Sequence, residues 1–257
     1  MRDSVPSALI KDAASLARRS QLVIVHGGGD VVTETANKLG KEQRFVVSPD
    51  GVRSRYTDRE TADIYQMVMC GLLAKRLVLA LKREGAKGVS LSGGDGWLIE
   101  GKRKSRLVVV DERGRKVAIE GGYTGRISSV NSGLAELLLS QGYIPVVSPV
   151  AAGEDAEPLN VDGDRAAAAV AAGIRADSVV FATDVDGLLL GGELVGKMTS
   201  AEASSSLGKI GFGMQKKVMA ACEAVSAGVS EALICSGTRE SPIEKALAHE
   251  GCTVITP

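Results

Sequence analysis

The chain has 257 residues, 31 Lys plus Arg against 31 Asp plus Glu, and 44% apolar residues, so it suits one large or two medium domains with a sizeable core and excludes a disordered chain. Zero formal net charge and 3% aromatics argue against a nucleic-acid module. No apolar run nears the roughly 18 residues of a membrane span, and no basic segment followed by an apolar one marks a secretory leader, so the expectation is a cytoplasmic protein with no nucleic-acid or membrane partner.

Residues 21–25 (Gln-Leu-Val-Ile-Val) read as a buried strand that runs into His26-Gly27-Gly28-Gly29, with a helix over 30–39 behind it. A long helix spans 57–84. Thr57 serves as its N-cap with Glu60 three residues on. Its apolar positions Ile64, Met67, Val68, Leu72, Leu73, Leu77 and Leu81 recur at three and four residues. A strand at 87–91, the loop Ser92-Gly93-Gly94-Asp95-Gly96 and β-hairpins with basic turns over 97–120 follow, then a helix at 131–141 and a strand at 143–148. The second half holds an alanine-rich helix at 164–173, a strand at 178–182 and a small hairpin at 188–195. A helix at 214–227, a strand at 231–235, a helix at 242–249 and a last strand at 252–255 complete it. Strands alternating with helices predict an α/β fold, a three-layer α/β/α sandwich around a mainly parallel sheet. A soft boundary near residue 155 separates lobe 1–155 from lobe 156–257 of one continuous sheet.

Five segments are candidates for chemistry. Three glycines after His26, between strand and helix, exceed what a tight turn needs and suit backbone contact with an anion. They form neither a Walker A nor a G-x-G-x-x-G pattern. The 92–96 loop is a second phosphate-facing loop or the entry to a hairpin. Asn160-Val161-Asp162-Gly163-Asp164 opens the alanine-rich helix, where Asp164 is a plain N-cap or one of several converging polar groups. Gly211-Phe212-Gly213-Met214-Gln215-Lys216-Lys217 places two lysines at a helix start, which the helix dipole disfavours unless an anion binds there. Residues 183–187 (Thr-Asp-Val-Asp-Gly) are a nucleotide pocket or a hairpin turn. Cys70, Cys222, Cys235 and Cys252 lack any C-x-x-C spacing and only His26 and His249 occur, so no metal site is expected and the cysteines read as reduced. No Ser/His/Asp or Cys/His set assembles. A reaction without a histidine base suits a nucleophile already ionised at neutral pH, such as a carboxylate. Phosphoryl transfer to it needs positioning and charge neutralisation, for which glycine loops, lysines and an aspartate are suited.

The ordered set HGGG, RYTD (residues 55–58), LSGGDG, GGYTG (121–125), LNVDGD, TDVDG and GFGMQKK, running from residue 21 onward, resembles the amino acid kinase family, most closely its acetylglutamate kinase branch. Within that branch, RYTD and GGYTG look like the carrier-dependent kinases of lysine biosynthesis. Those enzymes phosphorylate the side-chain carboxyl of α-aminoadipate while its amino group is linked to the small acidic carrier LysW. Some also accept LysW-linked glutamate, serving arginine synthesis. The resemblance implies an amino acid kinase fold, ATP with Mg²⁺, and a homodimer formed through the long helix. It implies that Gly28 and Gly29 line the acceptor and γ-phosphate site, Arg55 holds a substrate carboxylate and Asn160 contacts the backbone-like part of the acceptor. Lys217 would stabilise the transferring phosphoryl group and Asp164 would orient the lysines. Thr183, Asp184, Val185, Asp186, Gly187, Gly211, Gly213 and Met214 would surround ATP. Lobe 1–155 would bind the acceptor and lobe 156–257 the nucleotide.

The family opens with a strand bearing a lysine before a glycine pair, whereas this sequence opens at Met1-Arg2-Asp3-Ser4. The fold is therefore expected to lack its first strand. Either the native chain begins upstream or it is a variant with impaired catalysis. Four cations in residues 102–106 and three in 113–116 form a local basic patch that would attract an acidic carrier, with Lys102, Arg103 and Arg106 as docking residues. Solvated hairpin turns are the alternative. The rival functions are a kinase for free N-acetylglutamate and a nucleotide- or amino-acid-binding regulator without catalysis.

Overall fold

A computed structural model describes residues 6–49 and 51–257; Met1–Ser4 lie outside the described residues. In chain order the first half comprises α1 (Ser7–Leu16), β1 (Ile24–Val25), α2 (Gly29–Lys38), β2 (Phe45–Val47), β3 (Arg53–Arg55), α3 (Arg59–Gln66), a π-helical segment (Met67–Leu73), α4 (Ala74–Arg83), β4 (Gly88–Leu91), β5 (Ile99–Arg103), β6 (Arg106–Val110), β7 (Lys116–Glu120), β8 (Gly125–Val130), α5 (Gly133–Ser140) and β9 (Ile144–Val147). It continues with β10 (Val150–Ala152), β11 (Pro158–Asn160), α6 (Gly163–Gly173), β12 (Ser178–Thr183), β13 (Leu189–Leu190), β14 (Glu193–Leu194), β15 (Lys197–Thr199), α7 (Ser200–Ser206), α8 (Phe212–Ser226), β16 (Glu231–Ser236), α9 (Pro242–Leu247) and β17 (Cys252–Thr256).

The central layer is in two pieces, β1-β9-β4 and β12-β16-β17-β15. Every ladder in them is parallel except β16–β17. α6 packs on both β1 and β12, with α8 on β12 and β16 and α5 on β9. On the other face, Ile10, Ala13 and Leu16 of α1 and Leu77 and Leu81 of α4 share a cluster with Ile24 of β1, Val146 of β9, Val180 of β12 and Ile243 of α9. The sandwich therefore has the three expected layers, with β1 and β12 each ending its sheet piece and α6 packed on both. Each fully buried aliphatic side chain contributes roughly 1.5–3 kcal/mol, and these two helical layers hold the sheet pieces in register.

Several elements depart from expectation. The helix predicted over 57–84 is capped by Asp58, whose Oδ1 accepts from the Thr61 amide at 2.8 Å, and not by Thr57. It is broken by the π segment, a feature that widens a helix by one residue and often marks functional sites. There Leu73 and Met69 press against the glycine turn: a Cβ on Gly28 would lie 2.1 Å from Leu73 Cδ1. The stretch Arg59–Arg83 is long and apolar enough to cross a membrane by length and composition. One side of it, with Ile64, Val68, Met69, Leu77 and Leu81, is core. The strand predicted at 21–25 pairs only over Ile24–Val25. Of the hairpins predicted over 97–120, only β6–β7 forms; β5 instead joins β8 and β10 in a side sheet, β11-β10-β5-β8. Residues 153–157 turn β10 into β11. The short strands β2, β3, β8, β10 and β11 are set by tertiary pairing and carry little pattern of their own.

Candidate active site

The turn after β1 sits where two helices begin. Gly28 takes φ +154 and precedes α2, while a Cβ on Gly163, the first residue of α6, would lie 3.8 Å from the His26 carbonyl. His26 is buried, and its Nε2 contacts Ser148 Oγ at 3.0 Å; that hydroxyl reaches the Met69 carbonyl of the π segment at 3.2 Å. Burial lowers the His26 pKa below its ordinary value, so the ring stays neutral and serves structure. Arg55, at the end of β3, folds its fork over this turn. Nη2 donates to the Gly29 carbonyl (2.8 Å) and Thr33 Oγ1 (2.9 Å), and Nη1 donates to Gln43. Arg55 is thus brought to the Gly28–Gly29 turn, buried, with its guanidinium also 5.0 Å from the Phe45 ring centroid.

Thr57, two residues on, ties three segments. Its carbonyl accepts from the Tyr123 amide at 2.6 Å, and its hydroxyl accepts from Asn160 Nδ2 at 2.9 Å. Gly122 has φ +58, and a Cβ there would lie 2.3 Å from the Thr57 carbonyl oxygen. The glycines of GGYTG are therefore demanded by close backbone approach. Gly93, in the loop at 92–96, is demanded likewise: its Cβ would meet the Val150 and Ile99 carbonyls at 2.4 and 2.5 Å.

Across from this knot, Asp162 rather than Asp164 caps α6, accepting from the amides of Asp164 and Arg165 at 3.1 Å. Asp164 is released to pair with Lys217 of α8 at 2.8 Å. Lys216 donates to the Arg53 carbonyl at 3.2 Å and lies 3.7 Å from Asp162, so the first turn of α8 reaches across to β3. Sequence reasoning had no signal for this contact, because it joins residues 163 positions apart. Gly211 and Gly213 have nothing within 4 Å of a Cβ position, so packing does not require glycine there. Residues 183–187 leave the end of β12, on which α6 and α8 pack. Within them Gly187 is sterically required, a Cβ lying 2.6 Å from Thr253 Oγ1, and Val185 is exposed. Among the described residues no group of three His, Cys, Asp or Glu side chains could hold a metal.

The basic hairpin residues differ in freedom. Arg103 donates to the Gly122 carbonyl and to Glu120 and lies over Tyr123, 4.4 Å from its centroid; Lys102 pairs with Glu154. Lys104 is half-buried, and burial together with Arg165 and Arg126 lowers its pKa.

Residues 4–236 match the amino acid kinase family. A chain of Cenarchaeum symbiosum (strain A) is 56% identical over 252 residues, covering 97% of this chain and 93% of its own length. A LysW-aminoadipate/LysW-glutamate kinase of Metallosphaera sedula is 45% identical over 91% of this chain and 89% of its own. Among solved structures, N-acetylglutamate synthase of Neisseria gonorrhoeae superposes with a TM-score of 0.78 at 21% identity, covering 98% of this chain and 55% of that one. Carbamate kinase of Giardia lamblia superposes at 0.67 with 13% identity, covering 97% and 89%.

Proposed function

This chain belongs to the amino acid kinase family, and on that premise we propose that it uses ATP to phosphorylate the side-chain carboxylate of aminoadipate or glutamate carried on LysW, in lysine or arginine biosynthesis. The substrate assignment rests on the names of relatives 40–56% identical over nearly the whole chain. The observation that carries the chemistry is the Lys217–Asp164 pair, set beside a helix start with open glycines.

In this reading the acceptor carboxylate, already ionised, attacks the γ-phosphorus. The bond to the bridging oxygen breaks and ADP leaves, with an acyl phosphate as product. Lys217 neutralises charge on the transferring group, and Asp164 holds its ammonium in place. Amides of Gly28 and Gly29 receive phosphoryl or acceptor oxygens. Arg55 uses the donors its protein partners leave free to hold a carboxylate. Asn160 binds the amide end of the acceptor. Thr183, Asp184, Val185, Asp186, Gly187, Gly211, Gly213 and Met214 flank the nucleotide, the last three at an uncrowded helix start that permits close approach. Mg²⁺ would enter with the nucleotide, held chiefly by phosphate oxygens and water, and would neutralise charge on the phosphates.

Lobe 1–155 carries the acceptor contacts up to Arg55, and lobe 156–257 the nucleotide loops and lysines. The carrier docks on the hairpin cations Lys102, Arg103 and Arg106; Arg106 is exposed and has no ion pair among the described residues, whereas Arg103 also braces Tyr123. Exposed Met67, Leu72 and Leu79 along α3–α4 form the homodimer contact. Four free cysteines accord with a cytoplasmic setting.

Hydroxylamine trapping of the acyl phosphate tests the reading, with ATP·Mg and LysW-aminoadipate, LysW-glutamate or free N-acetylglutamate offered in parallel. Product with a carrier-linked acceptor is expected. Product with N-acetylglutamate alone transfers the assignment to the arginine-pathway kinase. ATP binding without product from any acceptor makes the chain a regulator. Reversing charge at Lys102, Arg103 and Arg106 should weaken carrier use while sparing small acceptors.

A further inference from the structure

We infer that Thr57 is a positioning residue that fixes which end of the Asn160 carboxamide faces the acceptor. The inference rests on the acceptor-site reading above and deepens it by naming the chemistry that Asn160 recognises. Thr57 has no exposed surface, so it touches no ligand itself. A threonine hydroxyl has one hydrogen to give. Here that hydrogen points to the carbonyl of Arg55 at 3.4 Å, which leaves the oxygen to accept from Asn160 Nδ2 at 2.9 Å. Turning the carboxamide over would set its oxygen against the hydroxyl oxygen, and the hydroxyl could answer only by abandoning the Arg55 carbonyl.

The surroundings make this arrangement stiff. The Thr57 carbonyl is held by the Tyr123 amide at 2.6 Å, and the Asn160 amide donates to the Tyr123 carbonyl at 2.9 Å. Thr57 and Asn160 therefore hang from the same residue of the GGYTG segment, and neither backbone can drift without the other. Asn160 Oδ1 has no protein partner among the described residues, and one Nδ2 hydrogen is also left over. The atom presented to the substrate is thus Oδ1, a hydrogen-bond acceptor. It accepts from the N–H of an amino acid whose amino group is acylated; an ester oxygen in place of that N–H would set an oxygen against an oxygen. Thr57 imposes this selection through Asn160 without contact with substrate.

The test compares wild type, Thr57→Val, Thr57→Ser and Asn160→Ala, alone and combined, with LysW-aminoadipate and ATP varied separately. Thr57→Val should raise KM for LysW-aminoadipate about tenfold and leave KM for ATP within twofold. Thr57→Ser should restore the acceptor KM. Thr57→Val should add nothing in the Asn160→Ala background. An equal rise in both KM values, or a full additional effect in that background, overturns the proposal. A second readout is independent of turnover: the Asn160 side-chain amide resonance, identified by its loss in Asn160→Ala, should be protected from exchange in wild type and Thr57→Ser and unprotected in Thr57→Val. Protection unchanged in Thr57→Val also overturns the proposal. If wild type turns over no LysW-aminoadipate yet shows the protection pattern, the substrate reading fails while the positioning role stands.

Discussion

The glycines around Thr57 and those at the start of α8 answer to different neighbours. At Gly121 and Gly122 a Cβ would run into the backbone of Lys104 and Thr57, at 1.7 and 2.3 Å from their carbonyl oxygens. At Gly211 and Gly213 it would meet nothing within 4 Å. The first region is a closed knot that holds Arg55 and Asn160 in fixed orientation. The second is open ground in front of two lysines. The same residue type therefore serves rigidity in the first region and leaves room for close approach in the second. A glycine's neighbours, not its presence in a motif, separate these roles.

The largest effect should fall on the open side. Lys217→Met is expected to lower kcat by about 100-fold or more, near 3 kcal/mol of transition-state stabilisation, with the melting temperature almost unmoved because the ion pair is partly exposed. A kcat near wild type in steady-state assays would remove Lys217 from the chemistry. On the closed side the loss should be of stability. Gly121→Ala forces the backbone apart and should destabilise by about 2–4 kcal/mol, lowering the melting temperature by roughly 5–15 °C in thermal unfolding. An unchanged melting temperature would break the contrast.

His26 adds a pH dependence to the turn between the two regions. Its pKa is lowered in the folded chain, so the unfolded state binds the extra proton as pH falls below about 6.5. Stability contributed by neutral His26 is therefore complete above that pH and declines as pH drops toward the lowered value. The slope from this one group is at most about 1.4 kcal/mol per pH unit. Denaturant melts at pH 7.5 and 5.5 should show a smaller difference in His26→Gln than in wild type. The smallest change is expected for Gly213→Ala, which should hold or slightly raise the melting temperature through helix propensity and raise KM for ATP about threefold. A stability loss there would mean the helix start is not open.

Much of the site was legible in the sequence because it lies in turns that glycine and polar residues punctuate. HGGG, LNVDGD and GFGMQKK were located at helix starts, and α2, α6 and α8 begin within two residues of the expected positions. The pairing of Lys217 with Asp164 follows the implied roles. Other assignments failed for identifiable reasons. Thr57 was given the capping role that Asp58 takes, and of the two readings left open for Asp164 the plain cap is not the one formed, because Asp162 caps α6. In each case two candidates within two residues of each other had the right chemistry, and only the direction of the chain decided which oxygen reached the amides. The π segment gave no warning, since Met67, Val68, Leu72 and Leu73 fit an unbroken helical stripe equally well.

The sequence by itself determined the alternation of strands and helices, the buried faces and the glycine-rich turns at helix starts, because periodicity and glycine placement are local properties of the chain. Only the tertiary structure decided that Thr57 meets Asn160, that Lys216 reaches the Arg53 carbonyl, and that β5 pairs with β8 and β10. Those contacts join residues far apart in sequence. Their geometry depends on how two helical layers close over the sheet, which no local pattern encodes.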